Sequence, residues 1–529
     1  MRHRALWRRG ARVAVAAAAI AAVVLACTPA QAQVTRADPI APPPGSTNPY
    51  APSYQHPYRQ GAVPTRSAKA NIDAHQAKQS LAPATASNLR YGGGVDGIGV
   101  TTGHPQVYLV FWGSNWGAST TNAKGDLTFG GDPAAGAPVV QELFKGIGSG
   151  GLFRETWSGV MAQYCETSVG STACQAADPH VGFPFGQALY GVWYDNQVIS
   201  NQPSAADIAQ EAVNAAGHFG NTTPATNRNA QYIILSPHNS HPDGFGAGGS
   251  FCAWHFWNGG VNVTSPYGDV AFTNMPYVMD AGADCGAGFF NAGAAGALDG
   301  YTMVVGHEYA ETITDQLPAG GWTDGNDENA DKCAWIQRGL SGGPANVPMT
   351  TGTFVMQSTW SNEDSGCSIA RSLVAIANPG PQSITVGQSL NITLSTTRGT
   401  APYSFYGVVL PPGVTVSAAG LISGAPSAAG VYTVKVGVLD ANAFVNETSF
   451  SLTVSQPTAV VPEVEGLPRA QATSIISASG LVPSVSTTKA CIDPGAVLVQ
   501  SPSGGASAPL GSTVFLEVDS GTRSTCIIK

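Results

Sequence analysis

Tyr301-Thr-Met-Val-Val-Gly-His307-Glu308-Tyr-Ala-Glu311 is the stretch from which the first folded module can be read. On a helix, positions 307 and 311 lie one turn apart and share a face, with Glu308 beside them. The same geometry makes His-Glu-x-x-His a zinc site, with two ligands at i and i+4 and the glutamate as general base. Carboxylate oxygen is also a zinc ligand, so His307 and Glu311 are candidate ligands and Glu308 the candidate base. The apolar run Tyr301–Val305 suits a buried active-site helix. The pattern predicts a helix over 297–316, stopped by Pro318 and Gly320-Gly321.

A third ligand must come from outside the helix. Seven acids stand in the 26 residues from His307 to Lys332, where the chain average predicts about 1.6. Among them Glu328 or Asp331 can complete the site, and the intervening loop lets the chain turn back onto the helix. Calcium is an alternative occupant for Asp324 to Asp331, because it prefers several oxygen ligands, although the spacing is not that of an EF-hand. A third alternative is a solvated acidic helix face with no metal. The order His307-Glu308-Tyr-Ala-Glu311, Trp322 and Glu328-Asn-Ala-Asp331-Lys-Cys333 resembles the secreted phosphate-induced, exordium-like proteins and their bacterial relatives. That resemblance covers about Val107 to Ala370 and implies a zincin-like fold.

Working outward, Val107–Trp112 and Gln231–Leu235 read as buried strands, and Ala271–Met279 as another. Val139–Lys145 is a short helix candidate, and Ser204 with Asp207 forms a capping box for a helix over 205–216. Strands alternating with helices give an α/β (α+β) module over 91–370. His238 and His241 follow a strand end, and His255 follows Cys252-Ala-Trp; all three are candidates to line a cleft and hold substrate. Gly339-Leu-Ser-Gly-Gly-Pro344 is a poor match to a serine-protease nucleophile segment, since Leu340 stands where an Asp is expected. No P-loop or dinucleotide fingerprint occurs.

Over 371–456 the chain is all-β in style. Leu410-Pro-Pro-Gly-Val-Thr-Val416, Gly420-Leu-Ile-Ser-Gly-Ala-Pro426 and Gly430-Val-Tyr-Thr-Val-Lys-Val436 together resemble bacterial Ig-like modules, which implies a β-sandwich. Over 457–522, Val461-Pro-Glu-Val-Glu-Gly466, Gly480-Leu481, Val499-Gln-Ser-Pro502 and Val514–Val518 resemble a PASTA module. That implies a short helix on a small sheet, and binding to peptidoglycan or a spacer role. Residues 523–529 are a tail.

Charged residues make up 11% of the 529-residue chain, against about 25% in a typical protein. A net charge of −9 argues against nucleic acid as a partner. Arginines before an apolar run and Ala30-Gln-Ala32 read as a signal peptide over 1–32, hence a secreted or periplasmic bacterial protein. No later apolar run is long enough to span a membrane, and Cys27 is a poor lipid-anchor site. Residues 33–90 are rich in Pro, Ala, Ser and Gln and read as a coreless linker or prosegment. Eight cysteines remain after export, and pairing neighbours (165–174, 252–285, 333–367, 491–526) keeps each bridge in one module. The leading expectation is a secreted zinc metallopeptidase acting on a polypeptide, with Ig-like and PASTA accessories. The alternative is a non-catalytic adhesion or cell-wall-binding protein with a degenerate or structural metal site.

Overall fold

The computed structural model describes residues 46–79, 87–150, 155–175, 177–246, 248–318 and 320–521. The expected signal peptide, Cys27 and the tail over 523–529 lie outside the described residues. Among those described, no helix is long and apolar enough to cross a membrane.

The N-terminal module is built on a six-stranded sheet. Its strands are β1 (Gln60–Pro64), β2 (Gln106–Trp112), β3 (Leu189–Asp195), β4 (Ala230–Leu235), β5 (Phe251–Trp257) and β6 (Ala271–Met275). The spatial order is β1-β5-β6-β4-β2-β3. Strands β6, β4, β2 and β3 run parallel, while β5 is antiparallel to both β6 and β1. Every residue of β4 is buried, as expected for an interior parallel strand covered on both faces.

Residues 33–90 were expected to be coreless, and the described part is not. Strand β1 and helix α1 (Arg66–Gln79) come from this segment, and Val63 is buried against the main core. A short strand stabilised by pairing to a distant partner leaves little trace in local composition. The N-terminal module therefore starts well before residue 91.

The other main helices are α2 (Gly136–Gly146), α3 (Ala205–His218) and α4 (Asp299–Thr314). Helix α3 opens on the expected box: Ser204 Oγ accepts from the Asp207 amide, and the Asp207 carboxylate accepts from that of Ser204. Helix α4 is buried along its entire length, so it carries no amphipathic stripe. Two of its threonines are satisfied by neighbouring elements: Thr302 Oγ1 donates to the Val355 carbonyl at 2.8 Å, and Gln231 Nε2 donates to Thr312 Oγ1 at 2.7 Å. At the helix end the Gly321 amide donates to Asp315 Oδ1 at 2.6 Å. A Cβ at 321 would collide with the backbone of Thr314 and Asp315, so glycine permits the tight return that brings the acidic loop back onto α4.

In the second module, Gln382–Thr385, Val445–Ser455, Gly430–Leu439 and Ser404–Val409 form one sheet, and Leu390–Thr393, Leu421–Gly424 and Val414–Val416 another. Val434, Val436, Leu452 and Ile422 are among the residues of their shared core. In the third, helix α5 (Arg469–Ala478) places Ala472 and Ile476 against Val514, Leu516 and Val518 of a three-stranded sheet. Disulfides join Cys165 to Cys174, Cys252 to Cys285 and Cys333 to Cys367, as expected from neighbour pairing. The expected fourth pair includes Cys526, outside the described residues.

Glu211 on α3 is buried with its Oε1 unpartnered, while Oε2 accepts from Asn214 Nδ2 at 3.1 Å. Burial pushes its carboxyl up to about 8, helped by the nearby Asp195 charge. The unfolded chain releases this proton near the ordinary glutamate value of about 4.3, so stability falls as pH rises from there through about 8. Glu211→Gln should therefore melt close to wild type near pH 4 and measurably above it at about pH 9, read by thermal denaturation across pH.

Candidate metal centre

The α4 helix, the loop after it and strand β5 bring six titratable side chains to one buried place. His307 Nε2 lies 3.1 Å from Glu311 Oε2 and 3.6 Å from Asp331 Oδ1. His255 Nδ1 lies 3.3 Å from Glu308 Oε2 and 3.8 Å from Glu311 Oε2, and its Nε2 lies 3.5 Å from Glu328 Oε2. Two donor sets result, His307–Glu311–Asp331 and His255–Glu311–Glu328, each with its atoms within 4.8 Å of one another. Glu311 belongs to both.

Neighbouring groups hold these side chains in place. The amides of Ala330 and Asp331 donate to Glu311 Oε1 at 3.1 and 2.8 Å, which leaves Oε2 for the histidines. His307 Nδ1 faces Gln357 Oε1 at 3.3 Å, and Gln357 Nε2 donates to the Ala330 carbonyl at 2.7 Å. With Nδ1–H directed at Gln357, Nε2 is the nitrogen left as a lone-pair donor. The Cys333–Cys367 disulfide and Trp360, which stacks under the Lys332 ammonium, fasten the loop beyond Asp331.

His307, Glu308, Glu311 and His255 are fully buried, and Glu328 nearly so. His255 Nε2, His307 Nε2, Glu308 Oε1, Glu311 Oε2 and Glu328 Oε2 are all without a hydrogen-bond partner in the protein. Orphaned buried polar atoms are costly and rare, and five in one place point to a missing positive partner. Burial pushes Glu308 and Glu328 well up, each reinforced by nearby carboxylates. Burial and the Asp331 charge take Glu311 to about 8. Burial disfavours the charged His307 ring, but the Glu311 and Asp331 charges outweigh it and hold its pKa well above the usual value. His255 goes the other way, to about 3, through burial and the His307 charge. Imidazole nitrogens mixed with carboxylate oxygens fit a zinc-type divalent cation.

Several expected site residues are placed elsewhere, or differently. His255, expected to hold substrate, stands inside the carboxylate cluster. His238 pairs with Asp280 at 2.5 Å on the surface, and His241 Nδ1 faces the Phe245 carbonyl at 2.9 Å; neither belongs to the cluster. Asp324 is engaged by Lys332 Nζ at 2.6 Å and by the amides of Asn326 and Asp327. Gln357 and the β1 strand were not anticipated. A lone histidine inside the apolar run Phe251–Trp257 was the available signal for His255.

Residues 373–455 match the family model described as "Putative Ig domain", and residues 459–520 match the PASTA domain. The chain thus carries an Ig domain followed by a PASTA domain, as found in extracellular and cell-wall-binding proteins. Neither model reaches the N-terminal module, so the exordium-like resemblance has no such support. No curated protein matches the chain. Among solved structures, a "putative alpha-galactosidase" from Bacteroides fragilis is similar at 20% identity and a TM-score of 0.15, covering 17% of this chain and 20% of that one. The extracellular region of the Ser/Thr kinase PrkC from Staphylococcus aureus is similar at 24% identity and a TM-score of 0.13, covering 15% of this chain and 28% of that one. The chain thus spans about a quarter of the length of these structures, and at these scores the similarities define no fold for it.

The cluster's like charges make a specific prediction. Without metal at about pH 8, Glu328→Gln should raise the melting temperature, because it removes a buried carboxyl that is held protonated in the folded chain and freely ionised in the unfolded one. With excess zinc the order should reverse, since the variant loses a donor; thermal melts in chelator and in zinc check both halves.

Proposed function

We propose that this is an extracellular cell-wall-binding protein whose N-terminal module holds a zinc ion and hydrolyses a polypeptide. The observation that carries the metal is the convergence of five buried, unpartnered donor atoms from α4, β5 and the loop at 328–331. His307 and Glu311 are ligands in this reading, with Asp331 beside His307 and Glu328 beside His255 to complete the set. The nitrogen donors favour zinc over calcium, which takes oxygen ligands. The module is then zincin-like: a sheet with a His-Glu-x-x-Glu helix lying under its edge. The PASTA domain supports peptidoglycan as the wall ligand.

Bound zinc would supply an acidified water and a polarised substrate carbonyl. Glu308 is the base for that water's proton, and its unpartnered Oε1 is the atom to receive it. His255 Nδ1, beside Glu308 Oε2, orients the carboxyl. Gln357 fixes the His307 ring so that Nε2 stays available.

One observation favours a second reading, a non-catalytic wall-binding protein with a closed metal site. Glu308 is fully buried, and its Oε2 faces His255 Nδ1 at 3.3 Å inside the protein. Casein cleavage by the mature protein, assayed intact and after removal of the segment up to Ser87, separates the two. In the hydrolase reading, chelator abolishes cleavage, Glu308→Gln lowers it by roughly 10²–10⁴-fold, and that variant still binds zinc. Cleavage indifferent to both treatments would refute it. Gln357→Leu should weaken zinc affinity by about 10–100-fold with the fold intact, measured by competition with a zinc indicator.

A further inference from the structure

We infer that Gln60–Pro64 is a built-in strap closing the His255–Glu311 cluster, and that the chain is latent until this strap is displaced. The inference rests on the zinc-site reading and names the regulation of that site.

Without β1, strand β5 would be the edge of the sheet, with a free row of amides and carbonyls beside His255. Such an edge accepts an added extended strand. Here the chain's own segment fills it, with Gln60 opposite His255, Val63 opposite Ala253 and Pro64 opposite Phe251, and a bulge between. At the bulge Gly61 has φ of 50°, a left-handed conformation that favours glycine. A Cβ there would collide with Glu311 Oε2 and the His255 ring, so the Gly61 backbone lies directly on the cluster. Two residues on, Val63 is buried against the main core. The strap therefore occupies the space over the donor atoms.

The fastenings lie mostly at its margins. Arg59 Nε pairs with Asp243 at 2.7 Å, and Tyr58 OH donates to the same carboxylate at 3.0 Å. Trp335 Nε1 donates to the Pro64 carbonyl at 2.7 Å, and the Ser67 amide and hydroxyl donate to Asp284. The following helix α1 contributes Ala68 to the interior and is otherwise largely exposed. The segment is thus held by strand pairing, by Ala62 and Val63 in the main core and by a few polar anchors.

The test uses the full mature chain carrying Arg59→Ala and a site-specific protease sequence inserted after Ser87. Zinc loss to a chelator and casein cleavage are measured before and after cutting, with mass spectrometry to follow the released segment. Cutting should release the strap, speed zinc loss about tenfold or more, and switch cleavage on. A synthetic peptide of residues 46–79 should restore the slow rate, and the same peptide with Gly61→Val should not. The inference is overturned if the strap stays bound after cutting. It is equally overturned if zinc-loaded protein that has lost the strap exchanges metal no faster, or if the peptide in trans has no effect. If neither form binds zinc, the metal reading itself has failed, an outcome distinct from zinc that binds but is indifferent to the strap.

Discussion

The N-terminal module depends on where it puts the Glu311 carboxylate. One oxygen is tied by the amides of Ala330 and Asp331, and the other is aimed at His307 and His255. That single group therefore joins the buried helix, the loop that returns from it and the strand at the sheet edge. The arrangement is unfavourable by itself, because burying several carboxyls together raises the cost of ionising each. A fold that concentrates this cost in one place, while most of its surface is poor in charge, has a reason to do so, and a bound cation removes the cost.

Around this centre the protein has three kinds of material. The other five strands of the sheet and α4 form the frame, the loop at 324–333 is pinned by a disulfide and by Lys332, and β1 closes the sheet edge beside the cluster. Beyond residue 370 the Ig and PASTA domains have distinct cores, and Phe183 of the N-terminal module joins that of the Ig domain. Buried Asp519 in the PASTA domain shows how that part uses charge structurally: its carboxylate accepts from the amides of Cys491, Ile492, Asp493 and Gly521, which hold its pKa near 2. Its partners are backbone groups, and among the described residues no orphaned donor accompanies it. The contrast with the α4 cluster is the physical basis for proposing a metal in the first module.

Much of this was legible in the sequence, for local reasons. The α4 helix showed itself through an apolar run closed by proline and glycines, α3 through its capping box, and three disulfides through cysteine spacing. The Ig and PASTA domains showed themselves through the order of short motifs that resemble those families. What stayed hidden is non-local. His255 joins the cluster only because β5 neighbours β1 and β6 in space, and nothing in its own surroundings fixes that register. Gly61 sits in a stretch whose composition suggests disorder, and its role appears only when its missing Cβ is measured against Glu311. Gln357, fifty residues beyond His307, is equally out of reach of spacing arguments.

The central claim is that the buried cluster is a zinc centre. Native mass spectrometry of the purified mature chain, with and without Glu311→Gln, tests it most directly. The account predicts about one zinc ion per wild-type chain and none on the folded variant, because the shared oxygen donor is lost. A folded wild-type chain that carries no zinc and takes up none when it is added would contradict it.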